Sequence, residues 1–289
     1  MRRHIRSAAH CDDDPMDVRA MWNFDRPDVS EERFRTALAA ATGADSLVLR
    51  TQLARALGLQ RRFGEAAAEL DAVAAAADLP PLAAVYLGLE RGRLLNSSGR
   101  RPESGPHFLA ALAEAERAGL DDLAADAAHM MAIIEDGADG IAWAERALAI
   151  AEASENPRAR AWIGSVSHNL GWTLHGLGRF DDALECWRRA LAFREQQGDA
   201  ELIRVGRWTV ARGLRSLGRY TDALAIQEDL RGGDDGYVEE ELGELLLALD
   251  RSDEARPHFA RAYELLSRDP WLVDGEPERL TRLADLGSA

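Results

Sequence analysis

Four short phrases in this chain share one layout: "RRFGEAA" at 61, "GRFDDAL" at 178, "GRYTDAL" at 218 and "DRSDEAR" at 250. Each places turn-forming residues first, then an acid, then a small residue. A phrase that recurs every roughly 20 to 50 residues restricts a chain to arrays in which one supersecondary unit stacks on the next. Taking the small residue after the acid as an anchor gives Ala66, Ala183, Ala223 and Ala255, with degenerate units anchored on Ser104 in "GRRPESG" and Gly140 in "DGADGIA". Successive anchors lie 38, 36, 43, 40 and 32 residues apart.

The same apolar pattern surrounds the anchors. Small or apolar residues stand thirteen, twelve and nine positions before them, as in Leu170, Gly171 and Leu174, then Val210, Ala211 and Leu214, then Leu242, Gly243 and Leu246. Seven positions after come Ala111, Ala147, Ala190 and Ala262. These offsets are helical, so each unit reads as two helices joined by a tight turn. Gly99, Gly178 and Gly218 fall where the first helix must stop and the chain reverse. With 46% apolar residues and only ten prolines among 289, nothing competes with an all-helical reading.

The stretch "LGWTLHGLGRFDDALECWRRAL" resembles the Leu-Gly, Gly-aromatic, Ala, aromatic and Ala signature of the tetratricopeptide repeat family. The resemblance extends over about residues 44 to 268 and implies an all-α, right-handed superhelical solenoid of about six helical hairpins. These are expected at about 44–78, 80–118, 121–153, 157–197, 200–232 and 236–268. The unit anchored on Ser104 departs from the pattern with Arg91 at a usually apolar position. Capping helices are expected at both ends: "DVSEERFRTALAAATG", with Ser30 as N-cap and Gly43 as stop, and a helix at about 275–287. Residues 28–289 are thus expected to form a single domain, preceded by a loose extension over 1–27. The hydrophobic second helices place Phe108, Cys186, Trp187 and Phe259 in the core between hairpins.

Charge and composition exclude several functions. A net charge of −15 lacks the basic footprint of a nucleic-acid binder. All 35 basic residues are Arg, so no Walker, Schiff-base or kinase-type lysine exists. The lysine-rich clamp with which co-chaperones of the family hold a C-terminal carboxylate is excluded on the same ground. Cys11 and Cys186 are too far apart in sequence and setting to suggest a disulfide framework. The basic N-terminus is followed by no apolar run of a signal peptide, and no stretch reaches the length of a membrane span, so a cytoplasmic, membrane-free protein is expected. No cofactor is implied.

The resemblance places the first helix of each hairpin on a concave groove. The residues its apolar pattern leaves unused stand fifteen, eleven and eight before the anchors, one stripe at i, i+4, i+7 spacing. On it lie Arg55, Arg93, Asn96, His129, His168, Trp172, His175, Trp208, Arg212, Arg215, Glu240 and Glu244. Arg forks suit a carboxylate or phosphate, indoles supply contact area, and the two Glu favour a cationic group.

This pattern suits a non-catalytic module that binds a protein or peptide segment, extended and carrying an acidic group. Replacing Arg212 and Arg215 together by Ala should then abolish binding without unfolding the chain. The alternative is a small-molecule receptor or cryptic enzyme in the same groove, with His129 or His175 as acid and base. A scaffold that assembles through its outer faces is a third reading. His129, His168 and His175 could meet at a metal only with help, because the latter two are separated by two helical turns, about 10 Å.

Overall fold

Helix boundaries in the computed structural model, which describes residues 17–288, follow the turn chemistry of the repeated phrase. Among the described residues there is no β-strand. They fall into two compact units by their contacts, one ending at Ile134 and one beginning at Glu135, where the sequence reading had one domain from 28 to 289.

The first unit opens with a 3-10 turn, Val18–Met21, followed by α1 (Pro27–Ala40). Two hairpins follow, α2 (Gly43–Leu59) with α3 (Phe63–Ala74), and α4 (Pro81–Ser97) with α5 (Arg101–Ala118). The unit closes with α6 (Asp121–Ile134). In the second unit α7 (Gly137–Ala153) and the short α8 (Pro157–Arg160) precede three hairpins. These are α9 (Trp162–Gly176) with α10 (Phe180–Gln197), α11 (Ala200–Ser216) with α12 (Tyr220–Asp229), and α13 (Gly236–Ala248) with α14 (Ser252–Leu266). The short α15 (Pro270–Gly275) and a terminal helix α16 (Pro277–Ser288) end the chain. Each unit is therefore a stack of antiparallel helical hairpins with an additional helix at its chain end. No helix among the described residues is long and apolar enough to cross a membrane.

The repeat pattern maps onto packing. All six anchors are buried, including the degenerate Ser104 and Gly140. Four residues after an anchor a large side chain turns back on its hairpin: Phe108, Trp187 and Phe259 are essentially fully buried. They fit because the first helix is bare opposite them. A Cβ on Gly171 would lie 2.3 Å from Nε1 of Trp187, one on Gly92 2.3 Å from Phe108 and one on Gly243 2.8 Å from Phe259. The Trp187 indole donates to the His168 carbonyl at 3.1 Å, so its polar edge is satisfied inside the core. Cys186 is only half-buried, at the margin of this layer rather than within it.

The hairpin turns need one residue at positive φ. Gly178 and Gly218 supply it at +74° and +72°. Arg61 and Asp250 occupy the same position in the first and last hairpins, at 60° and 59°, a conformation that costs a side-chain-bearing residue about 1–2 kcal/mol.

The start of the chain departs from expectation. Ser30 is not an N-cap: α1 begins three residues earlier, because Pro27 has a preset φ and no N–H to satisfy. The Ser30 hydroxyl is buried, donating to the Asn23 carbonyl at 2.9 Å and accepting the Asn23 N–H at 2.7 Å. Gly43 starts α2 rather than ending α1. Of the extension expected over 1–27, residues 1–16 lie outside the described residues. Of the rest, Val18 is buried, and Trp22 is stacked on Phe24 at 4.7 Å and edge-on to Phe34 at 5.1 Å.

Candidate functional site

The stripe of unused positions is largely a ladder of ion pairs between neighbouring hairpins. In the first unit Arg93 donates at 2.5 Å to Glu90 and at 2.5 Å to Asp126 on α6. Arg55 stands over the rings of Trp22 and Phe24, at 5.3 and 5.2 Å, with Glu90 3.8 Å away. Asn96 is part-buried beside them on a cleft of about 220 Å³. His129 is buried, and burial pushes its imidazole below the ordinary value.

In the second unit the aromatic candidates come together. Trp172 and Trp208 lie 6.2 Å apart, and Trp208 is 6.2 Å from Tyr237 on the next first helix. Trp172 is also 5.8 Å from His175 and donates at 3.3 Å to Nε2 of His168. The Trp208 indole donates to the Tyr237 carbonyl at 3.1 Å. Trp172 and Tyr237 remain exposed, at 36% and 41%. His175 Nε2 lies 2.9 Å from Ser216 Oγ, which also accepts from Arg212 at 2.9 Å.

The charged candidates beside these rings are already matched. Arg215 grips Glu241 through two hydrogen bonds, 2.8 and 2.9 Å, and Arg212 approaches the same carboxylate at 3.3 Å. Glu240 and Glu244, expected to await a cationic ligand, are held instead by Arg279 and Arg282 of α16. The terminal helix thus supplies from within the chain the cations these acids prefer. Arg279 also reaches Glu276 at 3.0 Å, so four guanidinium groups face four carboxylates here.

The two arginines differ. Burial opposes the Arg215 charge, but the hydrogen bonds and charge of Glu241 outweigh it, and its value is raised. Arg212 is lowered, by burial first, with Glu241 offsetting this only in part and Arg215 adding repulsion. Arg212 is the under-compensated cation. Burial, then the charge of Arg194, drives His168 down to about 4, and burial followed by Arg212 and Arg215 lowers His175. Both are neutral imidazoles at pH 7, engaged with Trp172 and Ser216. Among the described residues no three His, Cys, Asp or Glu side chains are grouped to hold a metal ion.

The stripe read from the sequence omits the position fourteen before each anchor, occupied by Gln52, Glu90, Asp126, Asn169, Thr209 and Glu241. Glu90, Asp126 and Glu241 are the buried acids that the arginines of the preceding hairpin hold. The signal was available, since all six residues are polar. The position adjoins the apolar pattern, where side chains ordinarily serve packing. Ser216, Tyr237, Arg279 and Arg282 lie off the stripe, the last two on the terminal helix, outside the repeat spacing.

Residues 135–196 match the tetratricopeptide repeat family. No match was found among curated protein sequences. Similar solved structures include a signal-transduction ATPase with a tetratricopeptide repeat sensor from Pyrococcus horikoshii, at 12% identity and a TM-score of 0.69. The comparison covers 89% of this chain but only 41% of that longer protein. The apo form of RapI matches at 12% identity and TM-score 0.68, covering 94% and 83% of the two chains. NprR in complex with its cognate peptide NprX matches at 16% identity and TM-score 0.50, covering 95% and 83%. At such identities the likeness is one of fold. Residues 135–196 thus carry tetratricopeptide repeats, and the helical hairpins on either side of them share the fold of these structures.

Proposed function

We propose that the chain is a non-catalytic binding module for a protein or peptide segment, and that the first helices of the second unit carry its contact face. The observation behind this reading is the run of Trp172, Trp208 and Tyr237 on three successive first helices, two of them more than a third exposed. Partly exposed aromatic rings in a row have no folding role that a smaller side chain could not fill, and such anchors dominate binding energies. Arg212, under-compensated and beside the rings, provides the preference for an acidic group or terminal carboxylate on the bound segment.

Similarity of fold to NprR, solved with a peptide, agrees with this reading. Neutral His168 and His175, each already engaged, offer little for acid–base chemistry. A cytoplasmic setting fits an acidic chain without a disulfide framework.

Screening the protein against a displayed peptide library tests the proposal. Enriched segments should combine an aromatic or branched apolar residue with a nearby carboxylate. Their binding should fall about tenfold or more in Trp172→Ala and in Arg212→Gln. Enrichment that both variants leave intact would remove the assignment.

A further inference from the structure

We propose that the first unit holds a separate ligand site, the cleft between Arg55 and Glu90, shaped for one neutral amide group. It does not rest on the reading given for the second unit. The cleft measures about 220 Å³, room for a single side chain or peptide unit rather than a whole cofactor. Leu59, Leu94 and Met130 contribute its apolar lining, Arg55, Glu90 and Asn96 part of its polar lining.

Two of those polar groups are unspent. The Glu90 side chain is 1% exposed, and its Oε1 takes the hydrogen bond from Arg93. Its Oε2 is buried with no hydrogen-bond partner among the described residues. Leaving a buried acceptor unsatisfied is costly, more so on a charged group. Arg55 is the converse. Its guanidinium is fixed by the stacked pair of Trp22 and Phe24, and it makes no hydrogen bond to a described residue, its nearest carboxylate contact being 3.8 Å. Burial, then the charge of Arg93, holds Arg55 below its ordinary value. Arg55 and Glu90 therefore both line one small cleft, and the carboxylate oxygen without a partner is buried in its wall.

Charge selects the ligand. Arg55 and Arg93 balance Glu90 and Asp126, so an anion that gains Arg55 meets the Glu90 carboxylate, and a cation that gains Glu90 meets two guanidinium groups. A carboxamide presents both an acceptor and a donor with no net charge. Its carbonyl accepts from Arg55 and its N–H donates to Oε2 of Glu90. A peptide backbone unit and the side chain of Asn or Gln share this chemistry.

Methyl-labelled full-length protein, observed at Met130, tests the assignment by titration with four probes: N-methylacetamide, propionamide, acetate and methylammonium. Both amides should shift the Met130 methyl saturably, with a dissociation constant on the order of 10 mM for so few atoms, and the two ions should bind about tenfold more weakly. N-methylacetamide binding more tightly identifies a backbone unit, propionamide a side-chain carboxamide. Arg55→Met should abolish the shift. Gly58→Leu should do so as well: it fills the cleft from a helix position where an added Cβ meets no atom within 4 Å, so the fold is kept. Ions binding as tightly as amides, no saturable shift up to about 0.5 M, or a shift that survives Gly58→Leu would overturn the site.

Discussion

Gln227 occupies the position four after an anchor that Phe108, Trp187 and Phe259 fill elsewhere, and it is fully buried. Neither its Nε2 nor its Oε1 has a hydrogen-bond partner among the described residues. Burying an amide without partners costs about 1–3 kcal/mol by protein mutational measures. Gln227→Met keeps the length and flexibility of the side chain, so the lost rotamer entropy is nearly unchanged and no large cavity or overpacking arises. The variant should therefore be more stable by about 1–3 kcal/mol. In a chain of this size each kcal/mol raises Tm by about 2–4 °C. Urea unfolding of both proteins, followed by helical circular dichroism, gives the comparison. A higher midpoint at unchanged slope supports the reasoning. An equal or lower midpoint refutes it, because the amide would then be satisfied in solution and the hairpin would depend on it.

Other perturbations have directions of their own. Replacing Arg212 and Arg215 together by Ala strands the Glu241 carboxylate, 4% exposed, and should destabilise the second unit by about 3 kcal/mol. Loss of binding in that double variant would thus not isolate ligand contact, and calorimetry beside a binding assay separates the two. Gly171→Ala drives a methyl into the Trp187 ring and should cost about 1–3 kcal/mol. Gly64→Ala, on an open helix position, should gain up to about 1 kcal/mol, and thermal melts of both report the contrast. The His168 imidazole is lowered to about 4 in the fold against an ordinary value near 6.5, so the unfolded chain takes the proton first. Folding stability from this group is full above about pH 6.5 and is lost as pH falls toward 4. Denaturant midpoints at pH 7 and 5 should draw closer together in His168→Gln than in the parent.

The hairpins were legible because their code is local and redundant. A small anchor, a bare position twelve earlier and a large side chain four later fix two helices against each other, and each signal can be missing once without loss. Even the units on Ser104 and Gly140, with poor matches, bury their anchors as expected. The division at Ile134 carried no such mark, since repeat units stand on both sides of it at the usual spacing. The site was half legible. Period alone put Trp172, His175, Trp208, Arg212 and Arg215 on one face. Whether an Arg there is available depends on what the next hairpin presents to it, a relation between residues some 30 positions apart, such as Arg212 with Glu241. The helix signal at Ser30 misled for a simpler reason: a serine three residues inside a Pro-initiated helix looks the same in sequence as a cap.

The ladder that joins Arg55 to Glu90, Arg93 to Asp126 and Arg215 to Glu241 makes the hairpins non-interchangeable. Arrays of this kind grow and shrink by gaining or losing whole units, and a unit with an apolar or neutral joint can be duplicated anywhere. Here a hairpin moved out of order would bring a buried carboxylate against a neighbour with no guanidinium to offer. Excision of residues 200–232, for example, would set the helix of Trp172 against Glu241. The lineage of this chain is thereby constrained to change by substitution along a fixed order of modules, and any recombinant that shuffles them must carry the charged partners as pairs.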